Sequence, residues 1–317
     1  MKPSRRPRRV PFAVLAALML ILAACGTDDP VTGAAAGRPA AAPDPGRVLK
    51  ISAIPDQDPA KLTAVNRAMA EYLAGHLGRR VDYVPVTDYA AAVSLFRTGD
   101  LDVVFFGGLT GVQARLQAPG AILLAQRDID DAFQSVFIAN ARAGVGPVPG
   151  VEELVALKGK RFTFGSESST SGRLMPEYFL DRAGVSSSRD FSGPPGFSGS
   201  HDKTVELVES GTYEVGVLNR QVWEKRKKEG TVDLSKVTEL LVTPPYHDYH
   251  WMAGPQTEAR FGKGFADKVK EALLALDRSD PSEAALLDLY GADRFIPTVA
   301  ANYAEIEQIG RKLNLVT

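Results

Sequence analysis

The 317-residue chain has one cysteine, Cys25, so no disulfide can form within it and its folded part must be stable on packing alone. Histidine is scarce, with four in all, which leaves little material for a multi-ligand metal centre. Neither sign of charge is in excess: 37 Lys and Arg face 38 Asp and Glu, for a net charge of −1. Much of the positive charge lies at the extreme N-terminus, so a nucleic-acid partner is not expected. No run after Cys25 is apolar for long enough to cross a bilayer. The Gly-x-Ser-x-Gly elbow of serine hydrolases is missing, and so is the lysine of a nucleotide-binding P-loop. Nothing calls for a cofactor.

What is present begins with a basic stretch, Lys2, Arg5, Arg6, Arg8 and Arg9, followed by an apolar run from Val10 to Ala24 that is too short to span a membrane. Leu22-Ala23-Ala24-Cys25 closes it. The pattern resembles a bacterial lipoprotein signal, which implies cleavage of residues 1–24 and lipidation of Cys25. An ordinary secretory signal with an incidental cysteine is the alternative. Residues 25–47, rich in Ala, Gly, Pro and Asp, cannot bury enough surface to fold and read as a tether. A body from about Val48 to Thr317 is long enough for two lobes.

Within that body the hydrophobic periodicity alternates. Val48 to Ile54 reads as a strand, Pro59 to Leu77 as a helix capped by Asp58 and ended by Gly78, and Val81 to Val86 as a strand. Asp88 to Thr98 reads as a helix and Leu101 to Phe106 as a buried strand. Such β-α-β-α-β order favours an open sheet with helices on both faces and ligands at the strand ends, so the loops 55–58, 87–90 and 106–110 should share one cleft. Strands at Ala121 to Ala125 and Phe133 to Ala139 follow. A second set then starts: a short helix from Val151, a strand at Arg161 to Gly165, helices at Leu174 to Ala183 and Thr204 to Glu209, and strands at Val215 to Leu218 and Val237 to Thr243. Pro194 to Gly199 reads as a loop. Helices at Phe265 to Leu276 and Ala301 to Leu313 close the chain with almost no strand signal between them, and should pack on the first lobe. The expected division is residues 48–139 plus 250–317 in lobe one and 140–249 in lobe two, with crossings near Asn140 and Tyr249. Each lobe is expected to be an open mixed sheet flanked by helices.

The strongest chemical signal is Gly165-Ser166-Glu167-Ser168-Ser169-Thr170-Ser171-Gly172, between a strand and a helix. Small residues let successive amides line a concavity, and the following helix favours an anion there. Pro176 places the start of regular helix near Arg173, which would leave the amides of residues 169–172 free. The same composition also suits plain caps and turns. His201-Asp202, before a helix, offers an imidazole donor, or simply an N-cap beside a surface histidine. Asn219 could donate or accept. Tyr89 opens a helix from a cleft-facing loop, where its phenol can donate, or merely pack. Tyr246-His247-Asp248-Tyr249-His250-Trp251 reads as an aromatic hinge, or as a metal site using His247 and His250.

Val86-Thr87-Asp88-Tyr89, Phe105-Phe106-Gly107-Gly108, Ser168 to Gly172, Phe197 to Asp202 and Thr243-Pro244-Pro245-Tyr246 occur in this order, and together they resemble the substrate-binding proteins of phosphonate and phosphite ABC transporters. Leu174-Met175-Pro176, Asn219 with Val222-Trp223-Glu224, and Tyr246 to Tyr249 are most similar to the subgroup named as selenate transporter proteins. The resemblance implies a type II periplasmic binding fold, two α/β lobes closing over one tetrahedral oxyanion, and delivery to a permease by a lipid-anchored monomer. It carries ligand-binding roles to Tyr89, Ser168, Ser169, Thr170, Ser171 and His201, and more weakly to Tyr246 and Asp248. Relatives that take aminoalkyl phosphonates should offer carboxylates to the ammonium. Only Glu167 and Asp248 stand out here as acids, which points to selenate, phosphite or a short phosphonate. The rival readings are a Ser/His hydrolase, disfavoured because Asp202 adjoins His201, a metal-binding lipoprotein, and a purely structural anchored protein.

Overall fold

The computed structural model describes residues 46–316. The signal segment, Cys25 and nearly all of the tether lie outside the described residues. Among the described residues eleven strands form two sheets. In chain order they are β1 Leu49–Ala53, β2 Val81–Tyr83, β3 Val103–Phe106, β4 Ile122–Arg127, β5 Ser135–Asn140, β6 Phe162–Phe164, β7 Gly196–Phe197, β8 Val215–Asn219, β9 Val237–Val242, β10 His250–Ala253 and β11 Phe295–Pro297. The first sheet has the order β11-β4-β10-β3-β1-β2 and the second β7-β6-β8-β5-β9. In each, the strands that begin a βαβ unit pair in parallel, and strands arriving from the other lobe enter antiparallel. This is the mixed two-lobed α/β fold expected.

Local sequence explains the element limits. Helix Pro59–Leu77 starts where Asp58 accepts from the Ala60 and Lys61 amides, with proline in its first turn, and ends at Gly78 with φ of 60°. The all-apolar β3, Val103 to Phe106, is buried along its whole length, as a central strand covered on both faces requires. Helix Gly108–Gln117, absent from the periodicity reading, follows β3 directly and is largely buried, so it shows no polar face. The segment between the last two expected helices also differs from expectation. It holds helix Pro281–Tyr290 and edge strand β11, too short to give an alternating pattern.

The first crossing is a correction. β5 pairs with β8 and β9, so it belongs to the second sheet, and the chain leaves the first lobe between Arg127 and Ser135 rather than near Asn140. The return runs from Val242 to His250. The two crossings touch through a bridge in which Phe133 and Tyr246 exchange both backbone hydrogen bonds, at 2.8 and 2.9 Å.

At the root of both crossings, buried Arg127 holds buried Asp130 through Nε at 2.8 Å and Nη2 at 2.6 Å, and donates Nη1 to the Tyr290 carbonyl at 2.9 Å. The Asp130 carbonyl accepts from the Asp248 amide at 3.0 Å. The guanidinium also lies over the Tyr249 ring, 4.8 Å from its centroid. Removing one partner strands the other charge without solvent. Asp130→Ala should cost about 3–5 kcal/mol of stability in urea unfolding; a change indistinguishable from zero would show that the pair carries no structural role.

Candidate functional site

The loop after β6 folds by backbone contact. Were a Cβ added to Gly172, it would sit 3.1 Å from the Gly165 Cα, so only two glycines let the strand end and the following turn touch. The Gly165 amide donates to the Gly172 carbonyl at 2.8 Å. Thr170–Leu174 is a π-type turn, and regular helix starts at Met175, two residues later than Pro176 suggested. The amides of residues 169–172 are not all free: Ser169 donates to the Ser166 carbonyl at 3.0 Å, and Gly172 donates to Ser169 Oγ at 2.9 Å. Ser169 is therefore the N-cap of this turn. Ser168 is half-buried and Glu167 exposed, whereas Ser169, Thr170 and Ser171 are buried.

The other lobe meets this turn directly. The Leu109 amide, at the start of the helix after β3, donates to Thr170 Oγ1 at 3.0 Å, and the neighbouring Gly108 amide donates to Asp248 Oδ1 at 2.8 Å. Gly107 makes that approach possible, since a Cβ there would lie 3.2 Å from Asp248 Oδ1 and 3.3 Å from Thr170 Oγ1. Further across the cleft, the His201 amide donates to the Asp56 carbonyl at 2.8 Å and the Asp58 amide to Asp202 Oδ2 at 3.0 Å. The lobes are closed on one another.

Three buried polar atoms here have no hydrogen-bond partner: Tyr89 Oη, Ser171 Oγ and Asp248 Oδ2. Leaving such atoms unpaired costs about 1–3 kcal/mol each, so the closed cleft holds three polar groups still to be satisfied. Tyr89 starts helix Tyr89–Thr98, whose cap is Asp88. Burial, then the nearby Asp56 and Asp248 charges, push its phenol well above the usual range, with Ser169 opposing, so it is a neutral donor. Burial raises Asp248 to about 7, against the pull of the Gly108 amide. Burial lowers His201 to about 4, so at neutral pH it is uncharged. Its Nδ1 accepts from the Asn219 amide at 3.3 Å, which places the proton on Nε2, 3.4 Å from Tyr249 Oη. Among the described residues no Lys or Arg hydrogen-bonds to any of the three unpaired atoms.

A family model for the periplasmic substrate-binding protein of phosphonate ABC transporters matches residues 51–303. The chain belongs to that family. It is 48% identical over 270 residues, 85% of this chain and 91% of the other, to the probable ABC transporter phosphite binding protein PhnD1 of Prochlorococcus marinus (strain MIT 9301). The solved structure of that PhnD1 in complex with methylphosphonate superposes with a TM-score of 0.83, covering 86% of this chain and 100% of the other. A binding protein component of an ABC phosphonate transporter from Pseudomonas aeruginosa, 16% identical, superposes with a TM-score of 0.72 over 83% of this chain and 85% of the other, a likeness of fold alone. As a periplasmic binding protein of this family the chain is a transport receptor and not an enzyme.

The residues singled out in the sequence now divide. Tyr89, Thr170, Ser171, His201 and Asp248 converge at the closed cleft. Tyr246 is buried beside them, but its hydroxyl lies 2.6 Å from Ser135 Oγ, which itself donates to the Ser171 carbonyl at 2.7 Å. The phenol must therefore donate to Ser135, and Tyr246 buttresses the serine turn. Asn219 caps the next helix, its Oδ1 accepting from the Gln221 and Val222 amides. Asp202 pairs with Arg226 at 3.1 Å instead of orienting His201, which removes the hydrolase geometry, and Ser200 rather than Asp202 caps helix His201–Glu209. His250 is buried against Tyr303, its pKa lowered by burial to about 4, while His247 is half-buried. Among the described residues no group of three His, Cys, Asp or Glu is placed to hold a metal ion.

One residue of the cleft escaped sequence reasoning. Asp56 lies in the cleft-facing loop after β1, fully buried, accepting from Tyr249 Oη at 2.7 Å, with burial raising its pKa to about 6. Its signal was the acid directly after Pro55, masked by the neighbouring helix cap Asp58. The serines can be separated by experiment. Ser171→Ala should weaken ligand binding by about 1.5–3 kcal/mol in calorimetry, the worth of a hydrogen bond to a charged group, with little effect on melting. Ser169→Ala should lose about 0.5–2 kcal/mol of stability as a missing N-cap. Equal effects of both variants on affinity and stability would contradict the division.

Proposed function

We propose that this protein captures a small phosphorus oxyanion, phosphite or a short alkylphosphonate, and presents the closed lobes to an ABC permease. The observation that carries the reading is Asp248 Oδ2, buried and unpartnered beside two unpaired hydroxyls. An ionised carboxylate there would repel a dianion. One proton between Asp248 and the ligand removes the conflict, on the acid when the ligand is a dianion and on the ligand when the acid is ionised. Phosphorus oxyanions can supply that proton near neutrality, with a second pKa of about 6 in phosphomonoesters. Selenate and sulfate are fully ionised there and bring none, so the selenate option is set aside in favour of phosphorus. Tyr89 Oη and Ser171 Oγ serve as neutral donors in a site closed to water, while the Nε2–H of His201 is directed at Tyr249 Oη. The methylphosphonate bound to the 48%-identical PhnD1 supports the same chemistry.

Titration calorimetry with phosphite, methylphosphonate, sulfate and selenate tests this directly. Above the pKa values of both Asp248 and ligand, a proton must be taken up on binding, so affinity should fall about tenfold per pH unit. Asp248→Asn removes the proton requirement: it should flatten that alkaline fall and admit sulfate and selenate. Wild-type protein that binds selenate as tightly as phosphite would refute the reading.

The envelope location of the receptor is proposed to rest on lipidation of Cys25, supported by the basic and apolar residues that precede it. Cys25→Ser expressed in a bacterium should move the protein from the membrane fraction to the soluble one. An unchanged distribution would leave the cysteine without that role.

A further inference from the structure

The hydrogen bonds between the lobes described above fall into two groups. Leu109 to Thr170 and Gly108 to Asp248 lie at the proposed anion site. The second group joins the loop after β1 to the start of helix His201–Glu209, where the His201 amide donates to the Asp56 carbonyl at 2.8 Å and the Asp58 amide to Asp202 Oδ2 at 3.0 Å. The first of these two bonds is made by backbone alone, so Asp202 supplies the side chain through which the contact can be altered. Among the described residues Asp202 makes no hydrogen bond to Tyr89, Ser171 or Asp248.

Asp202 is held in place from its own lobe. Arg226, on helix Arg220–Glu229, donates Nη1 to Asp202 Oδ1 and to the Asp202 carbonyl, each at 3.1 Å, and Nη2 to the Thr231 carbonyl at 3.0 Å. The Asp202 and Arg226 side chains are only 11% and 12% exposed. Oδ1 is thus engaged within lobe two, and Oδ2 faces lobe one. On the opposite side Asp58 uses its own Oδ1 on the Ala60 and Lys61 amides, as the cap of helix Pro59–Leu77. Its backbone N–H precedes the helix and takes no part in the helical ladder, so it can point across the cleft. Lys61 Nζ approaches Asp202 Oδ1 at 4.0 Å, but with 42% of its side chain exposed it is screened by water, and the amide is the stronger contact. Asp202 also stands in the first turn of its own helix. Closure therefore brings the positive ends of two helices onto one carboxylate, which offsets their repulsion.

We propose, resting on capture by lobe closure as above, that Asp202 is a closure latch. Anchored by Arg226 in lobe two, it takes the Asp58 amide of lobe one when the cleft shuts, and so sets how tightly and how long a ligand is held without touching it. It is a positioning residue. On opening, Asp202 keeps Arg226 and exchanges the Asp58 amide for water, so the cross-lobe bond favours the closed state alone. A contact of this kind enters every ligand's affinity as the same factor, because it shifts the open–closed balance whatever lies inside. It forms after the ligand has entered, and therefore acts on release more than on association.

The test compares wild-type protein, Asp202→Ala and Asp202→Asn by calorimetric titration and stopped-flow release of phosphite and methylphosphonate. Asp202→Ala should weaken both ligands by one common factor of about tenfold, the scale of a hydrogen bond to a charged group, and the loss should appear as faster release. Asp202→Asn keeps an acceptor without the charge and should lose about threefold, again equally for both ligands. Affinities unchanged from wild type overturn the latch. A phosphite-to-methylphosphonate ratio shifted by more than about threefold also overturns it, since the residue would then act on the ligand through the adjacent His201 instead of on the open–closed balance. A variant with fewer binding-competent molecules but wild-type release has lost folding alone, and that result overturns the proposal too. Should Asp202→Ala fail to fold, Asp202→Asn decides by the same criteria. Wild-type protein that binds neither anion overturns the phosphorus reading and the latch that rests on it, whereas wild-type binding with an indifferent Asp202 overturns the latch alone.

Discussion

The buried Arg127–Asp130 pair is the point on which the two lobes and their cleft converge. A guanidinium removed from water needs its hydrogen bonds filled, and here Asp130 takes two and the Tyr290 carbonyl a third. Filling them fixes the first crossing at the end of β4. The same Asp130 offers its carbonyl to the Asp248 amide, so the second crossing is fixed against the first, and the guanidinium face supports Tyr249. Asp248 and Tyr249 thus inherit their positions from one ion pair.

The proposed anion site works on a different principle. Among the described residues no Lys or Arg hydrogen-bonds to its three unpaired atoms, and Arg127 is already engaged by Asp130. Burial of His201 to a pKa of about 4 belongs to this design, since it keeps the imidazole neutral, with one defined proton direction, across the physiological range. The one adjustable element is the proton on Asp248, whose pKa of about 7 lies where phosphorus oxyanions also titrate.

Much of this was legible in the chain. Helix Pro59–Leu77 carried its own cap, proline and terminal glycine, and the serine turn announced itself by composition between a strand and a helix. Local chemistry of that kind is written in neighbouring residues. Sheet membership is not: Ser135 to Asn140 reads as a strand on its own, but only its pairing with β8 and β9, both distant in sequence, assigns it to the second lobe. The same holds for Ser169, whose hydroxyl also accepts from the Gly172 amide to cap its own turn, a structural use visible only in the fold. Asp56 was overlooked because burial of a loop carboxyl depends on what the opposite lobe brings against it.

The rung between Phe133 and Tyr246 ties the two crossings into a pair that can bend together but cannot slide past one another. Rotation about that rung is the relative motion that would leave both of its hydrogen bonds intact. Asp248 and Tyr249 sit beside that line, where displacement on opening is smallest, while Tyr89, Ser171 and His201 ride on the moving bodies. The receptor is in this sense a caliper: the jaws travel, and the measuring stop against which they close stays still.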